Sequence, residues 1–112
     1  KQVTTTSPAG RDVKTVGYPI RIAELLSTLA TPGYISRVSV HSPEHIVRAK
    51  KVLKKAFEYQ MQGKCFSLVE FVSNCPTNWG MTPGESLKWL ENNMLEYFKL
   101  GELKTPDKGE VE

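Results

Sequence analysis

Cysteine and histidine are scarce: two of each stand in 112 residues. A secreted disulfide scaffold of this size carries more bridges than Cys65 and Cys75 could form. A reducing, cytoplasmic setting is therefore expected. Long apolar runs are missing too. None approaches the roughly 20 residues of a membrane-spanning helix, and no basic-then-apolar N-terminus ends in a small-residue cleavage site. Charge of one sign is not in excess. The net charge of +3 suits solubility and an acidic partner without demanding nucleic acid. No HExxH, GxxxxGK(S/T) or GxGxxG motif occurs. There is no Ser/His/Asp signature, no carboxylate pair spaced for glycoside chemistry, no internal repeat and no low-complexity block. The chain opens on Lys1 and on no element of its own, which points to a fragment, although a processed chain would look the same.

What is present reads as an ordinary globular composition, 39% apolar and 24% charged. Residues 1–18 hold polar residues, Pro and Gly without a period, and predict an irregular arm. Pro19 then opens IRIAELLSTLA, where Ile22, Leu25, Leu26 and Leu29 mark one helical face. Thr31, Pro32 and Gly33 stop it. YISRVSV (34–40) is short and β-branched, a strand. Ser42 is a good N-cap, Pro43 suits the first helical position and Glu44 favours the positive end of the dipole. The helix they open carries an apolar stripe of Ile46, Ala49, Leu53, Ala56 and Phe57, and Gly63 ends it.

CFSLVEFV (65–72) is almost continuously apolar, as a strand covered on both faces would be. After CPTNWG, the residues Thr82, Pro83 and Glu85 spell a capping box. Leu87, Leu90, Met94 and Phe98 line the helix that follows, with Gly101 as its stop. Residues 104–112 predict a polar tail. The order is helix, strand, helix, strand, helix. It defines an α/β fold in which two parallel strands flank a crossover helix. Two strands do not make a stable sheet alone. Further strands are expected from a missing N-terminal part or from a second copy of the chain, a possible homo-oligomer.

Cys75 is the first candidate for chemistry. It follows a parallel strand, at the sheet edge where open α/β folds bind ligands. The proline after it forces an extended backbone that can turn the thiol outward. Against this stands a plain reading, a buried thiol under a turn. Cys65 opens its strand and reads as a core or strand-edge residue. His41 and His45 are four apart, but His41 precedes the helix, so a capping or solvated role fits better than a metal site. Arg48 to Lys55 form a basic helix face. Its plain reading is solvated surface, an acidic protein partner comes second and nucleic acid third, since no aromatic residues interleave as a stacking platform. Asn78 and Trp79 could line a pocket or wedge the next helix against the sheet.

The combination of TTTSPAGRD, GYPIRIAELL, GKCFSLVEFVSNCPTNWGM and SLKWLENNM resembles the thiamine-diphosphate-binding β subunit of the 2-oxoacid:ferredoxin oxidoreductases. The flavour is that of the 2-oxoglutarate or branched-chain (2-oxoisovalerate) type, and the resemblance runs over residues 1–103. It implies the C-terminal part of a mostly parallel α/β thiamine-diphosphate-binding domain, followed by the tail. The family's upstream CPGC-type cysteine pair, further cysteine and GDG-to-Asn motif are absent from this sequence. By resemblance the intact enzyme uses thiamine diphosphate, Mg2+ and a [4Fe-4S] cluster. It oxidatively decarboxylates a 2-oxoacid, passes electrons to ferredoxin and the acyl group to coenzyme A. Its partners would be an alpha subunit and small ferredoxin-like subunits, with no nucleic acid and no membrane. Cys75 matches the fourth thiolate of the cluster. Thr4, Thr5, Thr6, Arg11 and Asn78 become candidates for lying near the cofactor or the partner subunit. The segment alone is expected to be inactive and to hold no cofactor. The alternative is a non-catalytic α/β module that docks an acidic partner through its basic helix.

Overall fold

In the computed structural model, residues 3–106 are described. A turn closed by Thr4 and Ser7 leads into a one-turn helix, α1 (Val13–Val16). Asp12 caps it by accepting a hydrogen bond from the Lys14 amide. The expected irregular arm therefore has local order, set by an Asx cap that a search for periodicity does not register. Helix α2 (Ile22–Ser27) follows. Strand β1 (Gly33–Ser39) leads to the long helix α3 (Pro43–Met61) and strand β2 (Phe66–Val72). The chain then runs through α4 (Pro76–Trp79) and α5 (Pro83–Trp89). A π-helical stretch (Leu90–Met94) joins α5 to α6 (Leu95–Tyr97), and strand β3 (Gly101–Lys104) closes the described chain.

The sheet has three strands in the order β2-β1-β3. Strands β1 and β2 pair in parallel from Gly33↔Phe66 to Ser39↔Val72, as the β-α-β reading expects. Strand β3 pairs antiparallel with β1, so the described sheet is mixed. Gly101 was expected to stop a helix; it opens β3 instead, and the helix ends at Phe98. Lys104, the first residue of the expected tail, is the last of β3, while residues 107–112 lie outside the described part. Strand β2 is an edge strand among the described residues. Only Val72 in it is buried, in place of the two covered faces that its apolar run suggested.

The caps at both main helix starts are in place. The Ser42 hydroxyl accepts from the His45 amide. Thr82 and Glu85 bond reciprocally, the Glu85 carboxylate accepting from the Thr82 amide at 3.0 Å. Helix α3 lies on β1 and β2, where Tyr34, Ala56 and Tyr59 form a core with Val52, Cys65 and Val69 around it. Ser67 donates to the Ala56 carbonyl at 3.0 Å and ties β2 to α3. Burial pushes the Tyr34 hydroxyl pKa up to about 12, so the phenol stays neutral. The stripe predicted on α3 is rotated. Ala49 and Ala56 are buried, but Phe57 is exposed and Tyr59 takes the core position.

The other face of the sheet is organised by one charge. The Arg37 side chain, at the middle of β1, has no solvent exposure. Its two terminal nitrogens donate to both Glu24 carboxylate oxygens at 2.6 Å. Nε and one terminal nitrogen donate to Glu70 at 3.2 and 3.1 Å, and the last N–H goes to the Lys99 carbonyl at 3.1 Å. The fork–fork pair with Glu24 is the strong form of such bonding. Arg37 and Glu70 are also register partners across β1 and β2. Helix α2 meets the sheet through Glu24 and the buried Ala23. Ile22 and Leu25, expected to face the core, are 44% and 57% exposed as a result.

Removing one side of this cluster leaves uncompensated charge. Arg37→Met is expected to cost about 3 kcal/mol in urea unfolding, the low end for a broken buried pair, because Glu24 and Glu70 are 33% and 30% exposed and can hydrate. The pH dependence follows from Glu24. The Arg37 hydrogen bonds hold its carboxyl below the ordinary value of 4.5. A depressed folded-state pKa contributes stability above that value and loses it as the pH falls further. Thermal unfolding of wild type should weaken below about pH 4.5, and Glu24→Gln, weaker at neutral pH, should show a shallower acid loss.

Candidate functional site

The strand β2 exit is fixed before the cysteine arrives. Ser86, fully buried in α5, donates to the Pro83 carbonyl and accepts from the Asn74 amide nitrogen at 2.7 Å. Cys75 then sits at φ −136° and ψ 77°. This lies outside the helical region, which the following proline disfavours. The Cys75 carbonyl accepts from the Trp79 amide at 3.0 Å, so CPTNWG is a single helical turn and not an open loop. Gly80 closes the turn at φ 66° and ψ 35°, in the left-handed region. The thiol is exposed. Pro76 fixes φ at the first position of the turn, and Gly80 permits the left-handed conformation that ends it.

A cleft of about 500 Å³ opens beside this turn. The arm contributes Arg11 and Tyr18, α4 contributes Asn78 and Trp79, and the C-terminal helices contribute Trp89 and Tyr97. Trp79 and Trp89 pack with ring centroids 4.7 Å apart. Trp79 thus lines the pocket, the first of the two roles its sequence position allowed, and packs against the following helix through Trp89. Asn78 reaches the Val3 carbonyl at 3.5 Å, and the Tyr97 hydroxyl donates to the Pro19 carbonyl at 2.7 Å. These bonds tie the arm to both walls.

Of the residues singled out in the sequence, Arg11 and Asn78 line the cleft. Thr4, Thr5 and Thr6 stand on the arm outside that lining, with the Thr4 and Thr6 hydroxyls 3.3 Å apart. Cys75 also lies outside it. Sequence reasoning passed over Trp89 and Tyr97. Their signal was the recurrence of Trp89, Asn93 and Tyr97 every fourth residue, which the apolar stripe of the same helix obscured.

His41 and His45 stack with centroids 4.1 Å apart, their Nδ1 atoms engaged by Ser39 and Ser42. Burial, then the neighbouring His45, lowers the His41 pKa. Cys65 packs at the α3 core. On the basic face, Lys55 pairs with Glu102 at 2.9 Å. Arg48, Lys50, Lys51 and Lys54 are exposed. Among the described residues no three His, Cys, Asp or Glu side chains group as metal donors. The donor set here therefore does not suffice for a four-thiolate cluster; Cys75 is a free, exposed cysteine. No helix of the described residues is long and apolar enough to cross a membrane.

No family model and no solved structure matches the chain. Curated proteins do. Ketoisovalerate oxidoreductase subunit VorA of Methanothermobacter thermautotrophicus is 40% identical over 97 residues, covering 87% of this chain and 20% of that protein. VorA of Methanothermobacter marburgensis gives the same figures. The 2-oxoglutarate synthase subunit KorB of Archaeoglobus fulgidus is 32% identical over 115 aligned residues, 96% of this chain and 40% of KorB. The chain is similar to part of 2-oxoacid oxidoreductase subunits. It spans one fifth of the VorA proteins and two fifths of KorB. The segment thus recurs in subunits of different length.

The α4 turn yields a test of its own. Gly80→Ala forces a side chain into the left-handed region, and about 1 kcal/mol of stability should be lost in thermal or urea unfolding. Cys75→Ser should leave the melting temperature nearly unchanged, because its side chain is exposed.

Proposed function

We propose that this chain is the C-terminal part of the thiamine-diphosphate-binding β subunit of a 2-oxoacid:ferredoxin oxidoreductase, of the 2-oxoglutarate or 2-oxoisovalerate type. The observation that carries the reading is its similarity, over 87% to 96% of its length, to subunits named for ketoisovalerate and 2-oxoglutarate. In this reading the complete enzyme oxidatively decarboxylates a 2-oxoacid in the cytoplasm. The carboxylate leaves as carbon dioxide, two electrons pass to ferredoxin and the acyl group passes to coenzyme A. Partner subunits are an alpha subunit and small ferredoxin-like subunits. Thiamine diphosphate with Mg2+ supplies the carbanion chemistry that a 2-oxoacid needs, and a cofactor of this kind asks the protein for binding and orientation.

This segment has two tasks in that scheme. Its sheet extends the cofactor-bearing sheet, with β2 offering a free edge to a further strand. Cys75 supplies one thiolate to a [4Fe-4S] cluster whose remaining ligands come from the rest of the subunit. Its placement supports that role. The thiol is exposed, it follows the C-terminal end of a parallel strand, and a proline and a left-handed glycine hold its turn. Thr4, Thr5, Thr6 and Arg11 on the arm and Asn78 on the turn are assigned to contact with the cofactor or partner subunit as part of the same proposal.

The test uses the full-length subunit purified without air, as wild type and Cys75→Ser. Iron content and the low-temperature EPR spectrum of the reduced protein are compared, with circular dichroism as the control for folding. The expected result is a lost or markedly altered cluster signal in a folded variant. An unchanged iron content and spectrum would remove Cys75 from the ligand set. A full-length subunit that binds no thiamine diphosphate would overturn the enzyme reading.

A further inference from the structure

We propose that the cleft between the arm, α4 and the C-terminal helices binds a small organic monocarboxylate with a flat apolar body. The inference stands on the cleft itself and does not depend on the role given to Cys75. A volume of about 500 Å³ falls in the range of small-molecule sites. Its walls are chiefly apolar and aromatic, with the tilted Trp79–Trp89 pair, Tyr18, Tyr97 and Phe98 among them. Such walls favour a planar partner that can stack or meet a ring edge.

The polar groups select the charge. Arg11 is the cleft's only charged residue; no Asp or Glu lines it. Arg11 is exposed and makes no ion pair among the described residues. Asn78 and Asn93 also line the cleft, but their side-chain amides already donate to the Val3 and Trp89 carbonyls at 3.5 and 3.0 Å; neither indole N–H has a hydrogen-bond partner among the described residues. Aromatic faces attract cations, but the Arg11 guanidinium, with no carboxylate in the lining to offset it, repels one from this cleft. A single guanidinium matches one carboxylate through two parallel bonds. A polyphosphate would bring several charges against one lining cation; the next guanidinium, Arg21, is stacked 3.9 Å over the Tyr97 ring and does not line the cleft.

The chain supplies its own reporters. Its two tryptophans are both in this cleft. Their indole N–H cross-peaks can be followed in nitrogen-15 NMR while 3-phenylpropionate is added, with the neutral 3-phenylpropionamide as comparison. The proposal expects both indole signals to move saturably, with the acid binding about tenfold tighter than the amide, as a charged hydrogen bond should allow. Arg11→Gln should erase that preference and Arg11→Lys should keep part of it, with amide peaks away from the cleft unmoved in both. Three results would overturn it: no saturable indole shift at millimolar acid, equal affinity for acid and amide, or an undiminished preference in Arg11→Gln.

Discussion

The buried guanidinium of Arg37 is the constraint on which the rest of the described fold depends. A charge without solvent must have its hydrogen bonds satisfied inside the protein. Here Glu24, Glu70 and the Lys99 carbonyl provide them. Those partners come from three parts of the chain. Glu24 sets where α2 sits, Glu70 stands at the register partner of Arg37 in β2, and Lys99 fixes the connection into β3. The Phe98 ring lies 5.2 Å beneath the guanidinium and closes the cluster. The directional, charge-assisted hydrogen bonds of the guanidinium add a fixed geometry to the packing of these elements. Burial of such a cluster contributes little net stability against its desolvation cost, while removal of one partner is strongly destabilising.

That registry carries forward to the site. Once β2 is set against β1, Val72 is buried and Ser39 reaches its carbonyl at 3.4 Å. Asn74 then bonds to the buried Ser86, and the α4 turn starts from a fixed point. Pro76 and Gly80 hold its ends. The same turn places Trp79 against Trp89 and Asn78 against the arm. A single helical turn thereby presents an exposed thiol and forms one wall of the aromatic cleft. The two features are separate, since Cys75 does not line the cleft.

Much of this was legible in the sequence, and the misses share a cause. Local rules found α3 and its Ser42 cap, the Thr82–Glu85 capping box and the parallel β1–β2 pair. Each depends on residues close together in the chain or on simple apolar patterning. Strand β3 was missed because GELK is four residues long and polar. It becomes a strand only by pairing with β1 across a bulge. The burial of Arg37 was missed because YISRVSV reads only as a short, β-branched strand, which says nothing of what could pair with a buried arginine. Its partners lie 13 and 33 positions away, and no spacing rule joins them. The exposure of Ile22 and Leu25 has the same origin, because the Glu24 ion pair overrides the apolar stripe in orienting α2. At the site, the stiffness of the Cys-Pro turn was readable from Pro76. The cleft was not, since it forms only when the arm, α4 and the C-terminal helices meet.

The central claim is that this segment delivers the Cys75 thiolate to an iron–sulfur cluster of a 2-oxoacid oxidoreductase. The most direct measurement is a crystal structure of the full-length subunit grown and frozen without air, with anomalous data at the iron edge. The account predicts iron bonded to the Cys75 Sγ at the end of β2, on the α4 turn described above. A cluster with all four ligands elsewhere, or an iron-free subunit with Cys75 packed against protein, would contradict it.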